Sequence, residues 1–126
     1  FRFIRHFDAP KRTKIYKVIR NHLSDGGYLI FDAVNENVSK PLRNANPQCF
    51  PVYDELYQKH DLVQELKDHG FEVKQLLALQ CNFLLQKKIN RLANYRMSWL
   101  AEKLIRYMEK PDAANPLEWV VVCQKR

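Results

Sequence analysis

The sequence predicts a single α/β domain over residues 1–126, built around a mostly parallel sheet with helices on both faces. Helix-like and strand-like segments alternate along the chain, an order that is typical of βαβ units. The segment at 28–34 is almost continuously apolar, which indicates a strand buried on both faces. With 46% hydrophobic and 12% aromatic residues, the chain is long enough to bury one core and too apolar to be disordered.

Composition also limits the class of protein. No apolar run approaches the roughly 18 residues of a membrane span, so no membrane partner is expected. Cys49, Cys81 and Cys123 are far apart and form neither a CxxC motif nor a Cys/His cluster, so we expect no metal site and a cytoplasmic protein with reduced thiols. Because the chain begins with Phe1 rather than Met, we expect a fragment, a processed product or a natural truncation.

The net charge of +7 is unevenly distributed. Residues 1–20 hold seven Lys or Arg and one Asp, and residues 86–110 hold seven Lys or Arg and two Glu. Residues 21–85 hold five basic and nine acidic residues. Two basic blocks are typical of a protein that binds an anionic partner, but also of helices with solvated outer faces.

The first half of the chain predicts a strand end, a helix, a strand and a long loop. Residues 1–5 are interpreted as the end of a strand. Asp8 as N-cap and Pro10 in the first turn begin a helix. Its apolar stripe consists of Ile15, Val18, Ile19 and Leu23. A two-glycine turn leads into the strand at 28–34, and residues 35–51 are predicted to form a long polar loop of the kind that often carries function.

The second half predicts two more helices and two more strands. Asp61 is the expected cap of a helix that ends at Gly70. Residues 71–85 alternate apolar and polar side chains, as in a long strand. Residues 86–109 predict one long amphipathic helix, and the apolar run at 117–123 predicts the last strand.

Two long segments carry a resemblance to a known family. Residues 2–12 (RFIRHFDAPKR) and 19–32 (IRNHLSDGGYLIFD) resemble the second half of class I S-adenosylmethionine-dependent methyltransferases, in which a His-containing loop follows the fourth strand and a Leu-x-x-Gly-Gly turn precedes the fifth. Residues 65–73 (ELKDHGFEV) look like the family's next helix, Gly-Phe turn and sixth strand. The resemblance implies a Rossmann-like sheet with 117–123 as an antiparallel last strand and a helical insertion at about 86–110.

The chain departs from the family at the donor site. The family's glycine-rich turn after the first strand and its acidic residue after the second are both absent, so the chain resembles a methyltransferase without its cofactor-binding first half. By this resemblance the whole enzyme binds S-adenosylmethionine and transfers its methyl group to a small-molecule acceptor, and the fragment alone is inactive. We expect the missing N-terminal half, or a second copy in a homodimer, to cover the exposed sheet edge.

Candidate site residues lie where ligands bind in such sheets, beyond the carboxyl ends of the strands. His6 is the candidate catalytic residue, because an imidazole there takes a proton from the acceptor or orients it; the other interpretation is that it closes a turn by bonding the backbone. The resemblance implies that Arg2 and Phe3 contact the cofactor. The candidate acceptor-binding residues are Arg5, Asn35, Glu36, Tyr53, Tyr57 and Arg96.

A second hypothesis comes from a different class of protein. The two basic helices suit a non-catalytic module that binds nucleic acid or a protein partner. Nothing in the sequence resembles a known nucleic-acid-binding module, so nucleic acid is the less expected partner. A steep dependence of affinity on salt distinguishes phosphate binding from methyl transfer.

Overall fold

Five helices and a four-stranded sheet make up the part of the chain that the computed structural model describes, residues 3–93, 97–109 and 115–126. The helices are α1 (Ala9–His22), α2 (Glu36–Ala45), α3 (Lys59–Asp68), α4 (Phe83–Ala93) and α5 (Ser98–Met108). The strands are β1 (Tyr28–Asn35), β2 (Leu56–Tyr57), β3 (Phe71–Cys81) and β4 (Pro116–Lys125). The predicted α/β class is confirmed.

The sheet has the strand order β2-β1-β4-β3. β4 is antiparallel to both of its neighbours, so β1 and β3 point in the same direction on either side of it. β2 pairs in parallel with β1 at two positions. The predicted antiparallel last strand is present. The mostly parallel sheet is not confirmed, because the insertion of β4 makes two of the three described pairings antiparallel.

The helices α1 and α3 cover one face of the sheet. Tyr16 of α1 and Leu66 of α3 are fully buried there against Phe31 and its neighbours, and burial of side chains of this size stabilises the fold by roughly 1.5–3 kcal/mol each. On the opposite face, Ile30 of β1 is 48% exposed and Leu77 of β3 is 36% exposed. Further along β1 on this same face, Asp32 and Val34 are buried, and α2 contacts β1 and β4, so this face is covered only in part among the described residues.

The start of α1 follows the prediction more closely than the residues before it. The Asp8 carboxylate accepts a hydrogen bond from the Lys11 amide at 3.1 Å, as expected of an N-cap. The strand end expected at 1–5 is wrong where the structure describes it, because Ile4–His6 is a turn of 3₁₀ helix. The predicted apolar stripe is only partly buried: Val18 is 57% exposed beside the uncovered start of β1.

The long loop predicted at 35–51 is wrong, because α2 occupies most of it. Asn35 caps this helix by accepting a hydrogen bond from the Asn37 amide at 3.1 Å. In the first turn, Glu36 and Lys40 form an i,i+4 ion pair at 2.7 Å. Pro41 lies inside α2, although a proline within a helix removes a hydrogen bond and crowds the preceding turn. The capped and paired first turn is the local feature that favours the helix despite it.

Two boundaries in the second half also differ from the prediction. α3 begins at Lys59, so Asp61 lies in its first turn and is not its cap. β3 ends at Cys81, because the next residue, Asn82, has a left-handed φ of +57° and α4 begins at Phe83. The helix expected at 86–109 is the pair α4 and α5; residues 94–96 between them lie outside the described residues.

Candidate acceptor site

The carboxyl end of β1 brings together two segments that are distant in the sequence. The 3₁₀ turn Ile4–His6 lies beside residues 53–55, which precede β2. The Glu55 amide donates a hydrogen bond to the Arg5 carbonyl oxygen at 2.7 Å. This backbone contact positions the side chains of both segments at the end of the sheet where ligands of α/β proteins bind.

The Arg5 guanidinium is surrounded by three carboxylates. Its Nη1 lies 2.8 Å from both Asp32 Oδ2 and Glu118 Oε1, and its Nε lies 3.1 Å from Asp54 Oδ1. Burial alone lowers the pKa of Arg5, but the hydrogen bond to Glu118 and the carboxylate charges outweigh it, so that the pKa is raised. Arg5 is therefore a fixed cation that holds β1, β4 and the 53–55 segment together.

Asp54 links Arg5 to the imidazole of His6. His6 Nδ1 lies 2.9 Å from Asp54 Oδ1 and 3.0 Å from the Tyr53 carbonyl oxygen. The other Asp54 oxygen accepts a hydrogen bond from Arg43 of α2. Arg43 is itself held by Ser39, whose hydroxyl oxygen accepts from Arg43 Nε at 2.9 Å. The Asp54 carboxylate is thus fixed from three directions.

We refer to these side chains together as the Asp54 cluster. Its members are Arg5, His6, Asp32, Arg43, Asp54 and Glu118. With two guanidiniums and three carboxylates, the cluster carries one surplus negative charge when the imidazole is neutral.

The predicted residues Asn35 and Glu36 lie at the same strand end but have structural partners. The buried Asn35 amide donates to the Pro116 carbonyl oxygen at 2.8 Å, in addition to capping α2. Hydrogen bonds from Lys40 and Gln58 lower the pKa of Glu36. Both residues therefore organise the site, and Glu36 is the more accessible of the two.

The predicted Tyr57 belongs to a second polar group, the Arg12 network, which consists of Arg12, Glu55, Tyr57 and Glu65. Arg12 donates two parallel hydrogen bonds to Glu65, at 2.9 and 2.8 Å, and its Nη1 lies 2.8 Å from Glu55 Oε2. Its guanidinium also lies 5.4 Å from the centre of the Tyr57 ring. Burial and the charge of Glu65 raise the pKa of Tyr57. Tyr57 therefore packs in the fold and does not face a ligand.

The remaining predicted residues do not join the cluster. Tyr53 contributes its carbonyl oxygen, while its exposed hydroxyl donates to Glu55. Phe3 packs edge-on against Phe7, with ring centres 4.7 Å apart, and lines an apolar groove of about 640 Å³ between α1 and the start of β1. Arg2 and Arg96, predicted to contact cofactor and acceptor, lie outside the described residues.

Sequence reasoning missed four members of the cluster: Asp32, Arg43, Asp54 and Glu118. A signal was present for two of them, because Asp32 and Glu118 each interrupt an otherwise apolar strand, and an acidic residue in a buried strand requires a partner. Asp54 and Arg43 fell within or beside the segment predicted to be a loop. No local pattern marked them.

Known proteins add no further constraint on this site. No protein-family model matches the chain, and no curated protein is significantly similar to it. Among residues 3–93, 97–109 and 115–126, no three His, Cys, Asp or Glu side chains are grouped so as to hold a metal ion. None of the described helices is long and apolar enough to cross a membrane. Function is therefore inferred from the fold and the cluster.

Proposed function

We propose that this chain is the acceptor-binding half of a class I methyltransferase-like domain, whose whole enzyme transfers a methyl group from S-adenosylmethionine to a small molecule. The observation that carries the proposal is the position of β4. The resemblance implied that residues 28–34 would be flanked in one sheet by 71–83 and 117–123, the last of them antiparallel. β4 does lie against β1 and is antiparallel to it, which supports the proposal, whereas the segment at 71–81 pairs with β4 and not with β1.

The grouping of the predicted acceptor residues supports the same function. Arg5, His6 and the Tyr53 carbonyl come together beyond the carboxyl end of β1. Methyl transfer mainly requires alignment of the acceptor, exclusion of water and, for some acceptors, removal of a proton. A rigid ion-paired cluster with an imidazole at its edge supplies positioning and a proton acceptor.

The described residues do not by themselves fit S-adenosylmethionine. Gly26 and Gly27 precede β1 and Gly70 precedes β3, so all three glycines lie at the amino ends of strands, opposite the Asp54 cluster. The carboxylates at the carboxyl end of β1 are engaged by arginines and are not free to hold ribose hydroxyls. The proposal therefore assigns donor binding to another part of the enzyme.

The edge of β1 is the expected junction with that part. Within the described residues, this edge is paired only at Val34 and Asn35, by β2. Because β2 is only two residues long, we expect a further strand of the enzyme to extend the sheet along this edge of β1.

Isothermal titration calorimetry with S-adenosylmethionine tests the proposal. Saturable binding by the whole gene product that contains residues 1–126, with no detectable binding by residues 1–126 alone, is the expected result. Absence of binding by the whole gene product contradicts the methyltransferase assignment. Tight binding by residues 1–126 alone contradicts the division of the site between two halves.

The second candidate function is the binding of nucleic acid by α4 and α5. These helices pack together and expose five basic side chains: Lys87, Lys88, Arg91, Lys103 and Arg106. Lys103 Nζ lies 5.5 Å from the centre of the exposed Trp99 ring, and aromatic and basic side chains in alternation are typical of single-strand binding. The first basic block is less available, since Arg5 and Arg12 are engaged in internal ion pairs.

Salt dependence of binding to an oligouridylate decides this second candidate. The affinity is expected to fall with a slope of roughly −0.7 per phosphate contact on logarithmic axes, and the slope is expected to be smaller in the double variant Lys87→Gln/Lys88→Gln. Lys59→Gln, a change on α3, is the control. An affinity that does not respond to salt, or that is unchanged in the double variant, eliminates nucleic-acid binding by this surface.

A further inference from the structure

We propose that Asp54 holds His6 in the tautomer protonated at Nδ1, so that Nε2 accepts the proton of a hydroxyl-bearing acceptor. The reaction assigned to His6 rests on the proposed function, whereas the tautomer of His6 does not. In this arrangement His6 is the catalytic residue, and Asp54 is a positioning residue that acts through it.

The partners of Nδ1 determine the tautomer. A carbonyl oxygen only accepts hydrogen bonds, and so does an ionised carboxylate. His6 Nδ1 lies 3.0 Å from the Tyr53 carbonyl oxygen and 2.9 Å from Asp54 Oδ1, so it must carry the hydrogen. In the neutral ring the lone pair is then on Nε2, and no described residue donates a hydrogen bond to it. His6 also retains solvent access, with 36% of its side chain exposed.

The carboxylate of Asp54 contacts the ring of His6 directly. Arg5 and Arg43 are also in the cluster, and both are engaged with its three carboxylates. A carboxylate that orients an imidazole and stabilises its cation is the arrangement used by His bases of catalytic triads.

The other three histidines lack this combination. Both ring nitrogens of His69 are engaged, by the Glu65 carbonyl at 2.7 Å and the Thr13 hydroxyl at 3.1 Å. His22 Nδ1 bonds the Val18 carbonyl of its own helix, with no carboxylate partner in the described residues. His60 uses Nε2 itself, against Asp61. His6 thus combines a carboxylate and a carbonyl on Nδ1 with an unbonded Nε2.

The class of acceptor follows from what a base contributes. A neutral amine attacks through its lone pair and loses its proton afterwards, whereas a hydroxyl is a weak nucleophile until its proton is removed. In the proposed step the O–H bond breaks, its electron pair stays on oxygen, and the proton forms a new bond with Nε2. The geometry therefore favours an alcohol or a phenol as the methyl acceptor.

Long-range ¹H–¹⁵N NMR of the imidazoles tests the tautomer without any activity. In the wild-type chain, His6 is expected to show a protonated Nδ1 and an unprotonated Nε2 when neutral, and millimolar phenol is expected to shift the Nε2 signal. In Asp54→Ala the Tyr53 carbonyl still favours Nδ1–H, so this tautomer is expected to remain the major one while the Nε2–H form becomes detectable. A predominant Nε2–H tautomer in the wild type, or no change in Asp54→Ala, overturns the role of Asp54.

Methylation of matched probes tests the role of His6. His6→Asn retains a donor near the position of Nδ1, and so keeps the tie to Tyr53, but has no base. With the whole gene product and radiolabelled S-adenosylmethionine, phenol methylation is expected to fall about 100-fold or more in this variant, the lower end of a general-base contribution. His22→Asn is the control and retains full activity.

The NMR experiment and the methylation experiment test different claims. Methylation of aniline in preference to phenol, or undiminished phenol methylation by a folded His6→Asn, overturns the base and the acceptor class. If S-adenosylmethionine does not bind the whole gene product, the proposed function fails, while the NMR arm still decides whether Asp54 fixes the His6 tautomer.

Discussion

The Arg12 network and the Asp54 cluster use the same chemistry, arginine against carboxylates, in two different settings. Arg12 lies between α1, α3 and the segment that leads into β2, and only 2% of it is exposed. Its guanidinium contacts Glu65, Glu55 and the Phe7 carbonyl, all at 2.8–2.9 Å. Each nitrogen of the guanidinium therefore has a partner, and the network joins elements without leaving a group for a ligand.

The Asp54 cluster lies at the end of the sheet and is not closed in the same way. Arg5 joins three carboxylates there, but the imidazole of His6 uses only one of its nitrogens among the described residues. The difference indicates how to distinguish a structural ion-pair network from a candidate site. A network in which every guanidinium nitrogen has a partner has a structural role. A rigid network that leaves one titratable atom accessible and without a hydrogen bond is a candidate catalytic site.

The largest expected effect comes from breaking the Arg12 network. Arg12→Met leaves Glu65, whose side chain is 20% exposed, without its cation, so we expect a cost of about 3 kcal/mol of unfolding free energy, the low end for a buried pair that loses one partner. Urea denaturation at pH 7 measures it. Lys17→Met, an exposed change on the same helix, is the control and is expected to stay within about 0.5 kcal/mol. A loss below about 1 kcal/mol for Arg12→Met contradicts the structural role of the network.

A smaller loss is expected from Arg5→Met in the Asp54 cluster. Asp32 and Glu118 lose their cation, while Asp54 keeps Arg43, so we expect a cost of about 2–3 kcal/mol at pH 7, below the full cost for a buried pair. Urea denaturation at pH 7 measures this cost as well, and a loss below about 1 kcal/mol contradicts the ion-pair account.

Local patterns were enough to predict the parts of the fold that local physics decides. Asp8 caps α1 because its carboxylate bonds an amide three residues on. The apolar runs at 28–34 and 117–123 are β1 and β4, which pair along their lengths. The loop predicted at 35–51 was wrong, because a helix with a good cap and an early ion pair forms there and tolerates Pro41 in its interior.

The side-chain pattern of β3 could be predicted only up to a register shift. Odd-numbered residues were expected to share one face, but a bulge between Val73 and Gln75 inserts a residue into the ladder. One extra residue moves every later side chain to the opposite face. Leu76 and Ala78 therefore lie on the face of Val121 and Trp119, and Leu77 and Leu79 are exposed on the other face.

The sequence predicted where the candidate site lies, but not which side chains contact one another there. His6 and Arg5 were placed at a strand end by sequence, and the structure finds them at the end of β1. Asp54 and Glu118 are 48 and 113 positions from their partners in the chain, and contacts over such separations depend on how the whole sheet closes. Arg12 shows the same limit, since it was expected on the solvated side of α1 and is buried.

The smallest effect at neutral pH is expected for Tyr57→Phe, which removes one hydroxyl from the Arg12 network. The Tyr57 hydroxyl lies 3.4 Å from Glu65 Oε1, so the loss at pH 7 is expected to be about 0.5 kcal/mol. Burial first, and the Glu65 charge second, raise the pKa of Tyr57 above that of the unfolded chain. The neutral phenol therefore stabilises the fold below about pH 10, and this contribution is lost as pH rises further, by at most about 1.4 kcal/mol per pH unit.

The dependence of unfolding free energy on pH above pH 10 tests the role of Tyr57 further. Removal of the phenol is expected to make the unfolding free energy of Tyr57→Phe fall less steeply than that of wild type above pH 10. Tyr16, whose pKa burial also raises, keeps part of the slope in both proteins. Tyr28→Phe, an exposed change, is expected to follow the wild-type limb. Coincident limbs for Tyr57→Phe and wild type mean that burial in the Arg12 network does not disfavour ionisation of Tyr57.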